Sequence, residues 1–381
     1  MPRSFLQKAT RRILRTGTPR KRQPQANPRI PSPNPASGTA VPIVTVGITT
    51  HQDAQRVGRC LESVAAQSLG TSYIEVLVVD DGSTDATVKT ASAYKDSADW
   101  AGFTVARHRG TGSPSKGRNT ILDAARGEFV FFLDADDYLG DQALNSMVAQ
   151  ARETSADLVV GRYVGVNRSA PNVLPPKDPK VKGYHAGWLN SLHVQKLFRT
   201  DFARRLPYRF NESLIYASDH PFMVAAFLYA DKVALVEDVD CYFITLEEPD
   251  SQHRVHVSRA EVPAHQQLQF IHDCFGLMAL ARGQGGELAQ RAGRMRADYW
   301  NRLLKLHIPV LVLRKRESQD RAILDLASQA KALSELYGAQ TSRTRLVPEA
   351  QQFLAALDSA EEDTVRQAAS AARGGGDSLT S

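Results

Sequence analysis

Three carboxylates, Asp134, Asp136 and Asp137, fall within four positions at the end of the apolar run in EFVFFLDADDYL. Like charges that close destabilise one another unless a proton or a cation intervenes. The Asp134-x-Asp136 spacing lets one acid hold a sugar hydroxyl while the other coordinates a divalent cation. Mg2+ and Mn2+ prefer carboxylate oxygens and bridge to substrate phosphates. The plainer alternative is that these acids only end a strand. A second pair, Asp80 and Asp81, ends the run in VVDDGSTDAT, where carboxylates can meet base or ribose hydroxyls and backbone amides open a helix. Ser83 or Asp85 equally suits a helix cap there. Between the two pairs, GTGSPSKGRNTILDAARGE offers Gly110, Gly112 and Gly117 as a loop able to approach a ligand. Arg118 and Asn119 could hold a nucleotide by charge and by hydrogen bonding respectively. Further on, YASDHPFMVAAF sets Asp219 just before a helix. It is either a simple cap or a base that takes a proton from an incoming hydroxyl. His220 beside it reads as a packing residue.

These groups need a scaffold, and the flanking pattern supplies one. PIVTVGI, IEVLVV, FTVARH and EFVFFLD read as strands, with helices over QRVGRCLESV, from about Thr84, and over 116–126. Continuous Val/Ile/Leu/Phe runs joined by helices imply a mostly parallel sheet covered on both faces. Ligands of such sheets gather beyond the carboxyl ends of the strands, where Asp80, Asp81, Asp134 and Asp136 lie. After about residue 258 the pattern becomes helical, over 264–282, 286–306, 319–337 and 348–373, and the chain closes on a flexible GGGDSLTS. The expected organisation is a basic tail over 1–40, an α/β domain over 41–258, a helical region over 259–373 and a short tail over 374–381. The apolar residues of the helical region, among them Trp300, Leu303, Leu304, Leu311 and Leu313, are expected to pack on the α/β domain and to support a homo-oligomer.

The 381 residues carry a formal charge of +6, but residues 1–40 hold nine Lys or Arg and no acid, leaving 38 basic against 41 acidic residues, net −3, in the remainder. Basicity belongs to the tail, so no nucleic-acid partner is expected. Within the tail, SFLQKATRRILR places Phe5, Leu6, Ala9 and Ile13 on one helical face, so residues 1–15 suit either peripheral contact with an anionic membrane or a solvated tail. Cys60, Cys241 and Cys274 lack CxxC spacing, which suggests reduced thiols without a zinc site. No apolar run approaches a membrane span and no signal peptide is apparent, so a cytoplasmic protein is expected.

VPIVTVGITTHQDAQRVGRCLESVAAQS, VVDDGSTDAT, GRNTILDAARGEFVFFLDADDYL and KLFRTDF…SDHPF together resemble the family 2 glycosyltransferases of the GT-A fold, over about residues 41–245. The resemblance implies a nucleotide-sugar donor, most often a UDP-sugar, a Mn2+ or Mg2+ ion, and inversion at the anomeric carbon. It implies that Thr49, Asp81 and Arg118 line the nucleotide site with Asp80 nearby. Asp134 would face the ribose or sugar, Asp136 the metal, and Asp219 would be the catalytic base. Two departures stand out: TTHQD at the end of the first strand, where the family has a Pro-x-Tyr-Asn-like sequence, and Ser218 in place of a Glu before the base. SQHRVHVS is similar to the corresponding segment of bacterial wall teichoic acid and capsule glycosyltransferases, which implies a polysaccharide, teichoic-acid-like or lipid-linked acceptor. Two rivals are weighed against this reading. A DxD phosphatase would carry its motif near the N-terminus, and a non-catalytic sugar-nucleotide-binding protein would be expected to lack Asp136 or Asp219.

Overall fold

The computed structural model describes residues 41–173, 183–246, 262–315 and 320–374. The basic tail with its candidate membrane helix, the SQHRVHVS segment, the boundary near 258 and residues 375–381 lie outside the described residues.

β1 (Val44–Thr50), β2 (Ile74–Asp80), β3 (Gly102–Arg107) and β4 (Phe129–Asp134) are the four runs the sequence marks as strands. They lie parallel, in the order β3-β2-β1-β4, on one side of an eight-stranded sheet. Val46, Ile48, Val76 and Phe131 are fully buried, as continuous apolar strands must be when helices cover both faces. Those helices are α1 (Val57–Ala65), α2 (Thr87–Ser92) and α3 (Ser115–Ala124). α1 turns Val57, Cys60, Leu61 and Val64 inward, the i, i+3, i+4, i+7 face of an amphipathic helix. α3 lies so close to β1 that glycine is required at two places. A Cβ on Gly47 would overlap Ile121, and one on Gly117 would sit 2.8 Å from Thr49 Cγ2. Gly117 is therefore a packing residue inside a helix, which corrects its expected place in a ligand-facing loop.

The other half of the sheet is mixed. β5 (Tyr138–Leu139) forms its edge, α4 (Ala143–Thr154) leads to β6 (Leu158–Val166), and β7 (Leu197–Arg199) runs antiparallel to both β4 and β6. α5 (Thr200–Arg205) and α6 (His220–Tyr229) precede β8 (Val233–Thr245), which pairs parallel with β6 and antiparallel with β5. Because β7 enters at the carboxyl end of β4, with Leu197 opposite Phe131, the residues just before it arrive beside Asp134. Phe132 and Phe198 meet each other and Phe222 edge to face, as Phe132 does Phe210, with centroids 5.5–6.3 Å apart, while Phe210 stacks on Phe222 at 4.2 Å. Each such buried ring contributes roughly 1.5–3 kcal/mol of transfer free energy.

The helical region comprises α7 (Ala264–Gln267), α8 (Phe270–Gly283), α9 (Gly286–Arg302), a π-helical turn at Leu303–His307, α10 (Ile308–Leu313), α11 (Asp320–Leu336), α12 (Pro348–Ala356) and α13 (Glu362–Ala372). The first and last expected helices are thus each two. α8 packs on α6, and Trp300, Leu303, Leu304 and Leu311 are buried while Leu313 is partly so. Packing takes up these side chains. Among the described residues the exposed large hydrophobics are Val41, Tyr73 and Ile215.

Candidate active site

The strand ends are level. Thr50 pairs in register with Asp80, and Thr49 with Asp134. At this rim the acids divide into those held by the protein and those left open. Asp80 is held: it accepts from Thr50 Oγ1 at 3.2 Å, from the N–H groups of Gly82 and Ser83 at 3.1 and 2.9 Å, and from the Ser83 hydroxyl, and it pairs with Arg107 Nε at 3.3 Å. With its oxygens so engaged, Asp80 shapes the loop after β2. Asp81 faces the Gly-rich loop, accepting the Thr111 N–H at 2.9 Å, the Thr111 hydroxyl at 2.9 Å and the Gly112 N–H at 3.0 Å. Gly82 permits this closure: its φ is +82°, and a Cβ there would lie 2.5 Å from Gly110 N.

TTHQD has a structural use. Gln52 adopts φ 56° and stitches the first loop to the second. Its Oε1 accepts the N–H groups of Thr84 and Asp85 at 2.8 and 3.2 Å, and its own N–H donates to Ser83 Oγ at 2.8 Å. Asp85 also accepts the N–H of Thr87 at 3.0 Å, which starts α2 later than Thr84.

The acid triplet separates into three roles. Asp137 is nearly buried and bonds β8, accepting Tyr242 Oη at 2.6 Å and the Thr245 N–H at 2.7 Å; burial, with Asp136 and Asp134 nearby, pushes its carboxyl well above the usual range. Asp134 is met by Arg118 at 3.1 Å on one oxygen and by Gln195 Nε2 at 2.5 Å on the other. The Asp136 carboxylate has no partner among the described residues, although its carbonyl accepts from Arg59 at 2.8 Å. The orphaned carboxylate beside Asp134 has the donor chemistry of a hard divalent cation. No preformed cluster of three or more metal-ligating side chains exists among the described residues.

Asp219 stands at the start of α6 and makes no side-chain cap bond. A cap alone does not account for it. Burial raises its carboxyl above the usual range, opposed by the Arg118 charge and reinforced by Asp134. Ala217, two residues earlier, has a left-handed φ of 48°, strain of a kind that persists only where surroundings impose it. Lys196 is fully buried, donating to Tyr163 Oη and Ser191 Oγ at 3.1 Å and to the His193 carbonyl at 2.5 Å; burial pulls it down to about 7, partly offset by Asp219.

Arg118, Asp134 and Asp219 are therefore close enough to act on one another. Thr49 borders them from β1. Asn119 does not join them, which corrects its expected nucleotide contact. Its amide is used on the segment before Asp219, donating to the Phe210 carbonyl at 2.9 Å and accepting the Phe210 N–H at 3.1 Å. Sequence reasoning missed Gln195, Lys196 and Arg302. Only Lys196 lay inside a quoted motif, and nothing in the spacing marks a glutamine or a helical arginine as facing a cleft.

Comparison with known proteins agrees with this geometry. Residues 45–212 match the family described as Glycosyl transferase family 2. The chain is 27% identical over 222 residues to a poly(ribitol-phosphate) beta-glucosyltransferase of Bacillus spizizenii, covering 58% of this chain and 34% of that protein. It is 29% identical over 216 residues to the poly(ribitol-phosphate) beta-N-acetylglucosaminyltransferase TarS of Staphylococcus aureus, covering 56% and 37%. The matched stretch is thus about a third of the length of these relatives. Among solved structures, S. aureus TarS 1–349 in complex with UDP-GlcNAc superposes with a TM-score of 0.69 at 23% identity, over 87% of this chain and 92% of that one. The sheet order, the helical region and the superposition show a GT-A fold, within which residues 45–212 match the family described as Glycosyl transferase family 2.

Proposed function

We propose that this protein is an inverting glycosyltransferase that moves a sugar from a nucleotide-diphosphate sugar, with uridine as the base, to a hydroxyl of a cell-wall or surface polymer of the teichoic-acid type. The observation that carries the reading is the Asp219 carboxylate, raised by burial, uncapped and set beside Arg118 and Asp134. The activities named for the relatives supply the substrate classes.

In this mechanism Asp81 and Thr49 border the nucleotide, and Asp134, fixed by Arg118 and Gln195, orients ribose or sugar hydroxyls. Asp219 takes the proton of the acceptor hydroxyl as that oxygen attacks the anomeric carbon from the face opposite the leaving group. The transition state is oxocarbenium-like, as in other glycosyl transfers. Arg118 stabilises charge developing on the departing diphosphate. Asp136 would hold a Mn2+ or Mg2+ ion, whose charge neutralises the leaving group. One displacement inverts the centre, and no enzyme nucleophile is needed.

The basic residues 1–15 suit contact with an anionic inner membrane surface, each adding roughly 1 kcal/mol near such a surface. No helix among the described residues is long and apolar enough to cross a membrane. Liposome flotation of the full chain against one starting at Val41 tests that contact; equal recovery of both would remove it.

The test of the main reading is a panel of nucleotide sugars assayed for release of free nucleotide with and without a polyol-phosphate acceptor. Metal-dependent, acceptor-stimulated release that Asp219→Asn abolishes is expected. Release of inorganic phosphate instead would favour the phosphatase rival.

A further inference from the structure

α9 ends at Arg302, and the chain immediately enters the π-helical turn Leu303–His307. Such turns insert an extra residue into a helix and are frequent at functional sites. This one is braced against the segment carrying Asp219. The His307 ring stands 5.4 Å from Tyr216, 4.9 Å from His220 and 4.9 Å from Phe270, so its neighbours bracket Asp219 in sequence. Burial holds His307 near 3, hence neutral at physiological pH.

Arg302 is thereby set deep beside Asp219. Its Nε is buried without a hydrogen-bond partner, and no described carboxylate pairs with it. Burial depresses its pKa to about 10, with Tyr299 and Asp219 opposing. Arg168, in the chain following β6, has the same peculiarity, a buried Nε with no partner. Both guanidinium groups bear on the buried His193 ring, which burial first, then Lys196, Arg302 and Arg168, depress to about 3. Lys196, Arg302 and Arg168 thus act on His193, while Arg118, Lys196 and Asp134 act on Asp219.

Removing a charge from water without a partner is strongly unfavourable, so a buried, unpaired guanidinium usually awaits an anion. Its planar fork of donors matches phosphate bidentately. The donor diphosphate already has Arg118 and the cation expected at Asp136. Arg302 comes instead from the helical region, just before the turn whose His307 packs on His220, the residue after the proposed base.

We infer that Arg302 and Arg168 bind a phosphodiester group of the acceptor, so that the helical region, outside the family-matched residues 45–212, selects the acceptor. This rests on the glycosyl-transfer reading for the role of Asp219. It makes the catalytic domain and the helical region joint owners of one site.

The test uses the full chain and its Arg302→Gln, Arg302→Lys and Arg168→Gln variants. Three quantities are read: UDP binding, donor hydrolysis without acceptor, and transfer to a short polyol-phosphate oligomer against a phosphate-free polyol of equal length. Arg302→Gln is expected to raise KM for the phosphate oligomer by roughly ten- to hundredfold, the loss of a charge-assisted contact. UDP binding, donor hydrolysis and KM for the neutral polyol stay within about twofold of wild type by the same reasoning. Arg302→Lys recovers part of the loss, and Arg168→Gln shows a smaller one. Direct calorimetry of the oligomer with the donor-free protein reports the subsite even if no transfer is found, so failure of the glycosyltransferase reading is seen separately. Equal losses for charged and neutral acceptors, a parallel loss of UDP affinity, or no loss at all overturns the inference.

Discussion

Arg118 Nη2 lies 3.1 Å from Asp134 Oδ1, joining the first turn of α3 to the end of β4 across the top of the sheet. With Gln195 on the other oxygen, Asp134 is oriented before any ligand arrives. That leaves Asp136 as the open acid and Asp137 as the structural one, two neighbours with opposite expected behaviour.

Asp136→Ala should abolish transfer and leave the unfolding midpoint within about 0.5 kcal/mol of wild type, as for a surface group without described partners. Asp137→Ala removes the acceptor of Tyr242 Oη and the Thr245 N–H, and should destabilise by about 1–3 kcal/mol. Urea denaturation of both variants, alongside a Mn2+ titration of activity, separates the roles. Full activity of the Asp136 variant in metal-free buffer would end its assignment as a metal ligand.

Asp219→Asn is expected to fold and to bind donor normally, because no cap bond is lost. Turnover should fall by roughly a hundredfold to ten-thousandfold, the usual effect of removing a positioned base. A base must be ionised to act. Since burial raises Asp219, the acid limb of the wild-type pH–rate profile should lie above the ordinary carboxylate range. Normal turnover by the Asn variant would send the search for a base elsewhere.

Gly82→Ala tests the loop that closes over Asp81. A left-handed alanine costs roughly 1–2 kcal/mol, and its Cβ would meet the Gly110 backbone. UDP affinity measured by calorimetry should weaken by roughly tenfold, the equivalent of about 1.4 kcal/mol. Unchanged affinity would mean that the loop plays no part in nucleotide binding.

His220 is buried and His193 and His307 largely so, and desolvation is the largest cause of their lowered pKa values, about 3 for His193 and His307. A depressed folded value contributes stability above the unfolded value near 6.5, which is lost as the unfolded chain takes up protons below it. Asp137 and Asp219, raised by burial, act in the opposite sense from the ordinary carboxylate value upward. The clean measurement is therefore comparative. His307→Gln should flatten the fall in stability between pH 7 and 5 by about 1.4 kcal/mol per pH unit at most. An unaltered slope would show that His307 is protonated in the folded chain.

The parallel half of the fold was legible because its strands are buried on both faces and read as uninterrupted apolar runs, with acids where the runs stop. β7 was less visible because three residues, Leu197–Arg199, carry little pattern. Yet that short antiparallel strand delivers Gln195 to Asp134. The motifs placed Arg118, Asp134 and Asp219, whereas Gln195, which donates to Asp134, stands outside any motif. Asn119 misled because an amide beside an arginine looks like a ligand contact, whereas both its ends serve the Phe210 backbone. Arg302 was unreadable because a helical arginine is usually solvated, and nothing in the sequence marks the π-helical turn that follows it.

The segment 208–220 is gripped from two sides. Asn119 and Ser113 hold it from the α3 side, through the Phe210 backbone and the Leu214 carbonyl, while Asp273 of α8 accepts Tyr208 Oη and Asn211 Nδ2, each at 2.8 Å. The loop that presents Asp219 therefore has no home in either half alone. Chimeras made by exchanging helical regions between relatives would inherit mismatched walls around Asp219. A change at Asp273 of α8 therefore calls for a matching change at Tyr208 and Asn211 if the loop is to keep its second anchor.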